Sequence, residues 1–512
     1  MDLSIAKLQA AYRQEHLTPS GVIHEIYGKL GTGNIFVCLT PLEDLLHRCR
    51  QLEEQEPYRR GALYGVPFAV KDNIDALPLP TTAACEAYKF TPSASAPCVQ
   101  ALIEAGAIMV GKTNMDQFAT GLVGTRTPYG VAKNAFDSRF IPGGSSSGSG
   151  AALGAGLVTF ALGTDTAGSG RIPAGMNGCV GVKPTVGRVS TSGVVPACRS
   201  LDCVTVFAQS VDDGAAVVKL MQAGGLQLAD PNWRPPPQPA APLPSRQSFR
   251  FAVPGPEFLD FSGPGGLLVK AKYEALFAEA IQRLLSLGGQ QVSIDFSPFA
   301  QTARLLYESA FVAERYSGIR QFLESGPTPP TVESVTSDPR LEKVIGAIIG
   351  GAGNFVAADV YDGLATLNVL RGRARVEMHK FDVLLVPTTL HHYTIEEIAE
   401  QEVHAEKVSW GRNANLGRFT NFANLLDLCG LAVPSGLLRH EAREPDSNHA
   451  TAEERRRWQQ LKASGDLSVV LPFGVTFLAR AWQDEFLWDL AAAFHKQSGL
   501  GSGPVGHGVA PK

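Results

Sequence analysis

The 512-residue sequence predicts an α/β protein: a large β-sheet covered by α-helices on both faces. Three observations predict it. From Gly61 onward, short apolar runs bounded by glycine and proline recur: Val66 to Val70, Ala107 to Val110, Val158 to Leu162, Phe251 to Val253, and Val383 to Val386 before Pro387. Runs of that length and composition read as buried strands. Helical patterns such as Cys98 to Ala105 and Val211 to Met221 lie between them, the alternation expected of a sheet with helical layers. The hydrophobic content is 44%, enough at this length to bury a large core.

In chain order, residues 1–60 read as a helical arm, with Ile5, Leu8 and Tyr12 at helical spacing, and such an arm either packs on the rest of the chain or forms a homodimer surface. Residues 61–490 form one catalytic domain. Within it, the stretch at about 229–248 holds seven prolines, Pro231, Pro235, Pro236, Pro237, Pro239, Pro242 and Pro244, which rule out a helix or a central strand and make it a surface connector. Helical periodicity returns in Lys270 to Leu287, Thr302 to Glu324 and Ala357 to Lys380. A charged segment at about 439–465 reads as an exposed insertion with no assignable role. The Gly/Ser-rich residues 491–512 read as a flexible tail.

Composition excludes several function classes. With 45 basic and 49 acidic residues, the formal charge of -4 makes no case for nucleic acid or an anionic membrane. No apolar run reaches the ~18 to 20 residues a bilayer requires. The N-terminus lacks the apolar core and cleavage site of a secretory signal, so the expectation is a cytoplasmic protein acting on a small molecule. The eight cysteines are scattered, without a C-x-x-C pair or zinc-like histidine spacing, and read as reduced, mostly buried thiols.

The most unusual passage is the Gly/Ser tract Gly143 to Gly150, followed by a small-residue run and a second Gly-rich turn, Gly163 to Pro173. Glycine lets backbone approach a ligand, and successive amides aimed at one point hold an anion. A phosphate loop fails on detail, because neither tract has a Lys and a hydroxyl after its last glycine. A Ser-His-Asp hydrolase lacks a nearby base, since all eleven histidines lie outside residues 61–190. A G-x-S-x-G string centred on Ser146 is not preceded by a clear strand, as a nucleophile elbow demands. Lys71, ending the apolar run Gly65 to Val70, is an alternative base, because burial lowers the pKa of an ammonium. The residues alone leave a solvated strand end as an equal reading.

These tracts resemble the amidase signature family, over about Gly61 to Trp488. Its G-V-P-x-x-x-K-D, G-G-S-S-S-G-S and T-D-x-x-G-S-x-R-x-P patterns appear in order as Gly65 to Asp72, Gly143 to Ser149 and Thr164 to Pro173. The resemblance implies the amidase-signature fold, a large twisted mixed sheet between helices, and a Ser-Ser-Lys triad with Lys71 as base, Ser145 as bridging serine in a cis peptide and Ser169 as nucleophile. It implies an oxyanion hole from the backbone N–H groups of Thr166, Ala167, Gly168 and Ser169. Ser146 and Ser147 are then supporting hydrogen-bonders, and Asp165 and Arg171 pair to brace the turn. Neither metal nor organic cofactor is implied.

Two further passages, Leu306 to Tyr316 and Leu416 to Leu428, resemble the allophanate hydrolase subgroup. That resemblance assigns Tyr307 and Arg315 to binding a small anionic amide. An arginine fork suits a planar carboxylate, and eight residues on one helix would place the pair about two turns apart, able to reach one cleft. The implied function is hydrolysis of allophanate with release of ammonia in urea breakdown, with a pathway link to urea carboxylase. Many bacterial members of the subgroup continue into a C-terminal domain associated with decarboxylation; the Gly-rich end of this sequence gives the expectation that it is absent. Breakdown of the N-carboxycarbamate product would then be spontaneous or handled by another protein. An amidase of broader small-amide specificity and a glutaminase-type subunit of an aminoacyl-tRNA amidotransferase are the alternatives.

Overall fold

The computed structural model describes residues 1–222, 230–238, 244, 248–263, 266–326, 329–402, 411–444 and 451–510. Eleven strands form one mixed sheet: β1 (Phe36–Leu39), β2 (Pro67–Lys71), β3 (Ile108–Thr113), β4 (Phe160–Asp165), β5 (Val180–Lys183), β6 (Cys203–Ala208), β7 (Phe249–Ala252), β8 (Gly289–Val292), β9 (Val383–Pro387), β10 (Leu428–Glu441) and β11 (Ser468–Arg480). Their spatial order is β1-β3-β2-β4-β6-β5-β10-β11-β9-β7-β8. The apolar runs named from sequence are β2, β3, β4, β7 and β9. They are continuous rather than alternating because both faces are covered. Side chains still sort by strand parity: Phe68, Val70, Phe160, Leu162 and Val206 pack into one hydrophobic cluster, and Ala69, Ala161 and Phe207 into the cluster on the other face.

Two parallel pairings position the site. β2 lies between β3 and β4 and runs parallel to both. With Val70 opposite Leu162, the C-terminal ends of β2 and β4 leave the sheet at one edge, and the fully buried helix Ser147–Gly154 packs against both strands.

Residues 1–60 lie against the sheet: Leu8, Tyr12, Ile23 and Leu45 pack against the sheet residues Ala69 and Ala161, and β1 is an edge strand paired antiparallel to β3. The segment 491–512 is not wholly a flexible tail. The helix Asp484–Ser498 crosses residue 490, burying Ala491 and Phe494. Beyond it, Gly503 N–H donates to Gly178 O at 2.8 Å and His507 meets the Phe136 ring edge-on at 5.2 Å. The charged segment 439–465 begins inside β10 and carries the helix Ala452–Ala463 before β11, apart from 445–450, which lie outside the described residues. Much of the proline-rich connector lies outside them also. No single described helix is long and apolar enough to cross a membrane.

Candidate active site

Lys71 is the last residue of β2, and Thr164 and Asp165 are the last two of β4. Ser145 precedes the helix Ser147–Gly154, in a loop pressed onto Asp116: a Cβ on Gly144 would fall 2.0 Å from Asp116 Oδ2. Only glycine fits there. Asp116 N–H donates to Ser145 O at 3.0 Å, and the Gly144–Ser145 peptide is cis.

The three predicted triad side chains meet in one line. Lys71 Nζ lies 2.8 Å from Ser145 Oγ, which lies 3.0 Å from Ser169 Oγ. Lys71 and Ser145 are fully buried and Ser169 is 3% exposed. Burial drives the Lys71 pKa down to about 7, against the opposing charges of Asp116, Asp202 and Asp165. A lysine near neutrality is a competent base at physiological pH. Thr164 Oγ1, which sequence reasoning did not single out, also accepts from Lys71 Nζ at 2.8 Å. Once Lys71 is neutral, an N–H held on Thr164 leaves its lone pair for Ser145.

The turn after β4 is braced from inside. Arg171 Nε and Nη2 form a bidentate pair with Asp165, both at 2.9 Å and both residues fully buried. Burial pushes the Asp165 pKa up, but the Arg171 guanidinium, Lys183 and donated N–H bonds hold it below the usual carboxylate range. Asp165 also accepts from Gly168 N–H at 2.8 Å and Gly170 N–H at 3.1 Å. This corrects the expectation for Gly168, whose N–H is committed to Asp165. The amides of Thr166, Ala167 and Ser169 have no acceptor among the described residues. Gly168 is nonetheless required: its φ is +128°, and a Cβ would lie 2.4 Å from Thr420 Oγ1. Ser146 Oγ donates to Thr164 O at 3.2 Å, fastening the Gly/Ser tract to β4, whereas Ser147, expected to support it, has a buried hydroxyl with no partner among the described residues.

Tyr307 and Arg315 also come together, by a route other than the single helix expected. The helix Ser297–Glu308 ends with Ser309 in an extended conformation, and Arg315 sits on the next helix, Val312–Gly318. Arg315 Nη2 donates to Tyr307 Oη at 3.1 Å, and its guanidinium lies 5.0 Å from the Tyr307 ring centroid. Nη1 donates to Thr120 Oγ1 at 3.0 Å. Arg315 is 2% exposed, its Nε has no partner, and no carboxylate pairs with it among the described residues. Its charge acts on both Lys71 and Asp202. Beside it, a cavity of about 630 Å³ is lined by Tyr307, Val312, Asn413 and Arg418.

Other supporting residues escaped the sequence reading. Asp202 Oδ1 accepts from Thr166 Oγ1 at 2.5 Å and from Cys198 N–H at 3.1 Å, anchoring the turn after β4. Asn424 Nδ2 donates to Asp165 O and Leu201 O, each at 2.7 Å. Asn424 falls within the Leu416 to Leu428 passage already noted, whereas Asp202 stands in no recognisable motif.

A sequence model of the Amidase family matches residues 31–487, and the chain belongs to that family, the amidase-signature enzymes. Among particular relatives, it is 40% identical over 404 residues to a urea amidolyase of Saccharomyces cerevisiae, covering 79% of this chain and 20% of that one. It is 31% identical over 405 residues to a mandelamide hydrolase of Pseudomonas putida, covering 74% and 73%. An allophanate hydrolase structure from Kluyveromyces lactis superimposes with a TM-score of 0.80 at 36% identity, covering 98% of this chain and 73% of that one. The chain thus spans about a fifth of the length of the urea amidolyase it matches.

Proposed function

We propose that this chain is an allophanate hydrolase, cleaving the terminal C–N bond of allophanate through an acyl-enzyme on Ser169. The observation that carries the substrate is Arg315: a buried guanidinium in salt-bridge contact with no described carboxylate, within electrostatic reach of Asp202 and of the triad. A buried charge without a contact partner is costly, and a carboxylate-bearing substrate would supply that partner. The likeness to proteins named urea amidolyase and allophanate hydrolase supports the same reading.

In the proposed mechanism, the substrate carboxylate meets Arg315 and Tyr307, and its carbamoyl carbon faces Ser169. Ser169 transfers its proton to Ser145 as Ser145 gives its own to neutral Lys71, and Ser169 Oγ bonds to the carbonyl carbon. The carbonyl oxygen takes the negative charge, stabilised by the N–H groups of Thr166, Ala167 and Ser169. The proton returns to the leaving nitrogen, the C–N bond breaks and ammonia departs. Water, deprotonated along the same relay, attacks the acyl-enzyme and releases N-carboxycarbamate with Ser169 restored.

The test is ammonia release by the purified chain from allophanate, biuret, malonamate and glutamine. The expected result is a kcat/KM for allophanate at least tenfold above the others. A preference for neutral amides, or glutamine hydrolysis that appears only with partner chains, would overturn the assignment.

A further inference from the structure

A second concave site lies apart from the triad, where the last turns of the helix Ala357–Met378 meet the end of β11 and the segment after Asn424. It encloses about 700 Å³, a volume suited to a small molecule. Arg234, Arg371, Arg375, Arg480 and His379 line it, together with one carboxylate, Asp427. That carboxylate is already committed: Arg234 grips it in a bidentate pair at 2.8 and 2.9 Å.

The other three arginines have no carboxylate partner among the described residues. Arg371 Nε donates to Leu425 O at 2.8 Å, and Arg480 Nη1 donates to Met378 O at 3.0 Å. Arg371 and Arg480 are thus each held by a backbone carbonyl, which orients the guanidinium without neutralising it. Arg371 and Arg375 are four residues apart on one helix, neighbours whose like charges repel. Burial and Arg375 both disfavour the Arg371 cation, with Asp427 opposing them. Three positive forks facing a shared cavity whose one carboxylate, Asp427, is gripped by a fourth arginine have the chemistry of an anion receptor, because planar guanidinium groups match carboxylate and phosphate oxygens in pairs.

We propose that this cleft binds a small polyanion carrying two or more carboxylate or phosphate groups, at a site distinct from the substrate pocket. The two sites share no arginine: Arg315 belongs to the triad side and does not line the cleft. Between them stands Asn424, which lines the cleft and bonds to Asp165 O at the start of the catalytic turn.

Isothermal titration calorimetry on the full chain at constant ionic strength tests this, with citrate as polycarboxylate, pyrophosphate as polyphosphate and acetate as the monovalent control. The expected result is saturable one-to-one binding of citrate or pyrophosphate, and whichever binds more tightly identifies the class. The affinity should fall at least tenfold in Arg371→Gln/Arg375→Gln and stay unchanged in Arg315→Gln. Circular dichroism and thermal unfolding report whether each variant folds, and Arg480→Gln serves where the double variant does not. The proposal fails if neither polyanion gives saturable heat, if acetate binds equally well, if the cleft variants bind like wild type, or if Arg315→Gln abolishes the binding.

Discussion

Ser169 and Arg315 are both buried residues of one site, yet they reach it by different routes. Around Ser169 the ion-pair bracing is local: Gly168 bonds to Asp165 three residues away, and Arg171 to Asp165 six residues away, with Asn424 a distant support. Around Arg315 a local bond to Tyr307 is joined by remote ones, since its guanidinium also bonds to Ala119 and Thr120, 196 and 195 positions earlier in the chain. The first region is a short strand-turn-helix whose residues largely hold one another. The second exists only once distant segments have packed, so the chemistry and the specificity of this enzyme rest on structural units of different range.

The largest effects are expected at Ser169 and Lys71. Ser169→Ala should lower kcat by at least about 10⁴-fold with circular dichroism unchanged, because no other group replaces the nucleophile. Lys71→Met should cost about 10²- to 10⁴-fold in kcat. The same lysine sets a pH dependence. Only neutral Lys71 accepts a proton, so kcat/KM should rise with pH through about 7 and level off above it, falling about tenfold per unit below. A flat profile between pH 5 and 9 would remove Lys71 as the base.

Arg171→Met tests whether the turn is held from within. It leaves Asp165 buried and unpaired, so chemical denaturation should show a loss of about 3 to 5 kcal/mol. On the remote side, Arg315→Gln should cost about 1.5 to 3 kcal/mol of substrate binding, seen as a raised KM for allophanate, while the KM for a neutral amide stays within a few-fold. The smallest effect is expected of Tyr307→Phe, which removes one hydrogen bond to Arg315 and should cost about 0.5 to 1.5 kcal/mol. Should Tyr307→Phe lower kcat as strongly as Lys71→Met, the tyrosine would belong with the triad rather than the pocket.

The strands that carry Lys71 and Thr164 were legible because β2 and β4 grow from apolar runs bounded by glycine or proline and end in polar residues, and the Gly/Ser tract announces close backbone contact. Thr164, by contrast, stands inside a quoted motif without an assigned role, because its function depends on facing Lys71 across two parallel strands. Asp202 carried no local signal at all. The tail was misread from its glycine content, since Gly503 and His507 are held by Gly178 and Phe136, more than 300 residues earlier.

By itself, the sequence determined the sheet-and-helix class, the amidase-signature motifs, and the residue types at Lys71, Ser145, Ser169, Asp165 and Arg171. Those follow from short-range chemistry: strand hydrophobicity, glycine where no Cβ fits, and an ion pair formed within a single turn. The tertiary structure decided that Gly168 serves Asp165 rather than an oxyanion, that Tyr307 and Arg315 meet across a helix break, and that four arginines, one of them paired with Asp427, face a second cavity. Each of these depends on which atoms become neighbours after burial, and burial sets both the free N–H groups and the charges that lack partners.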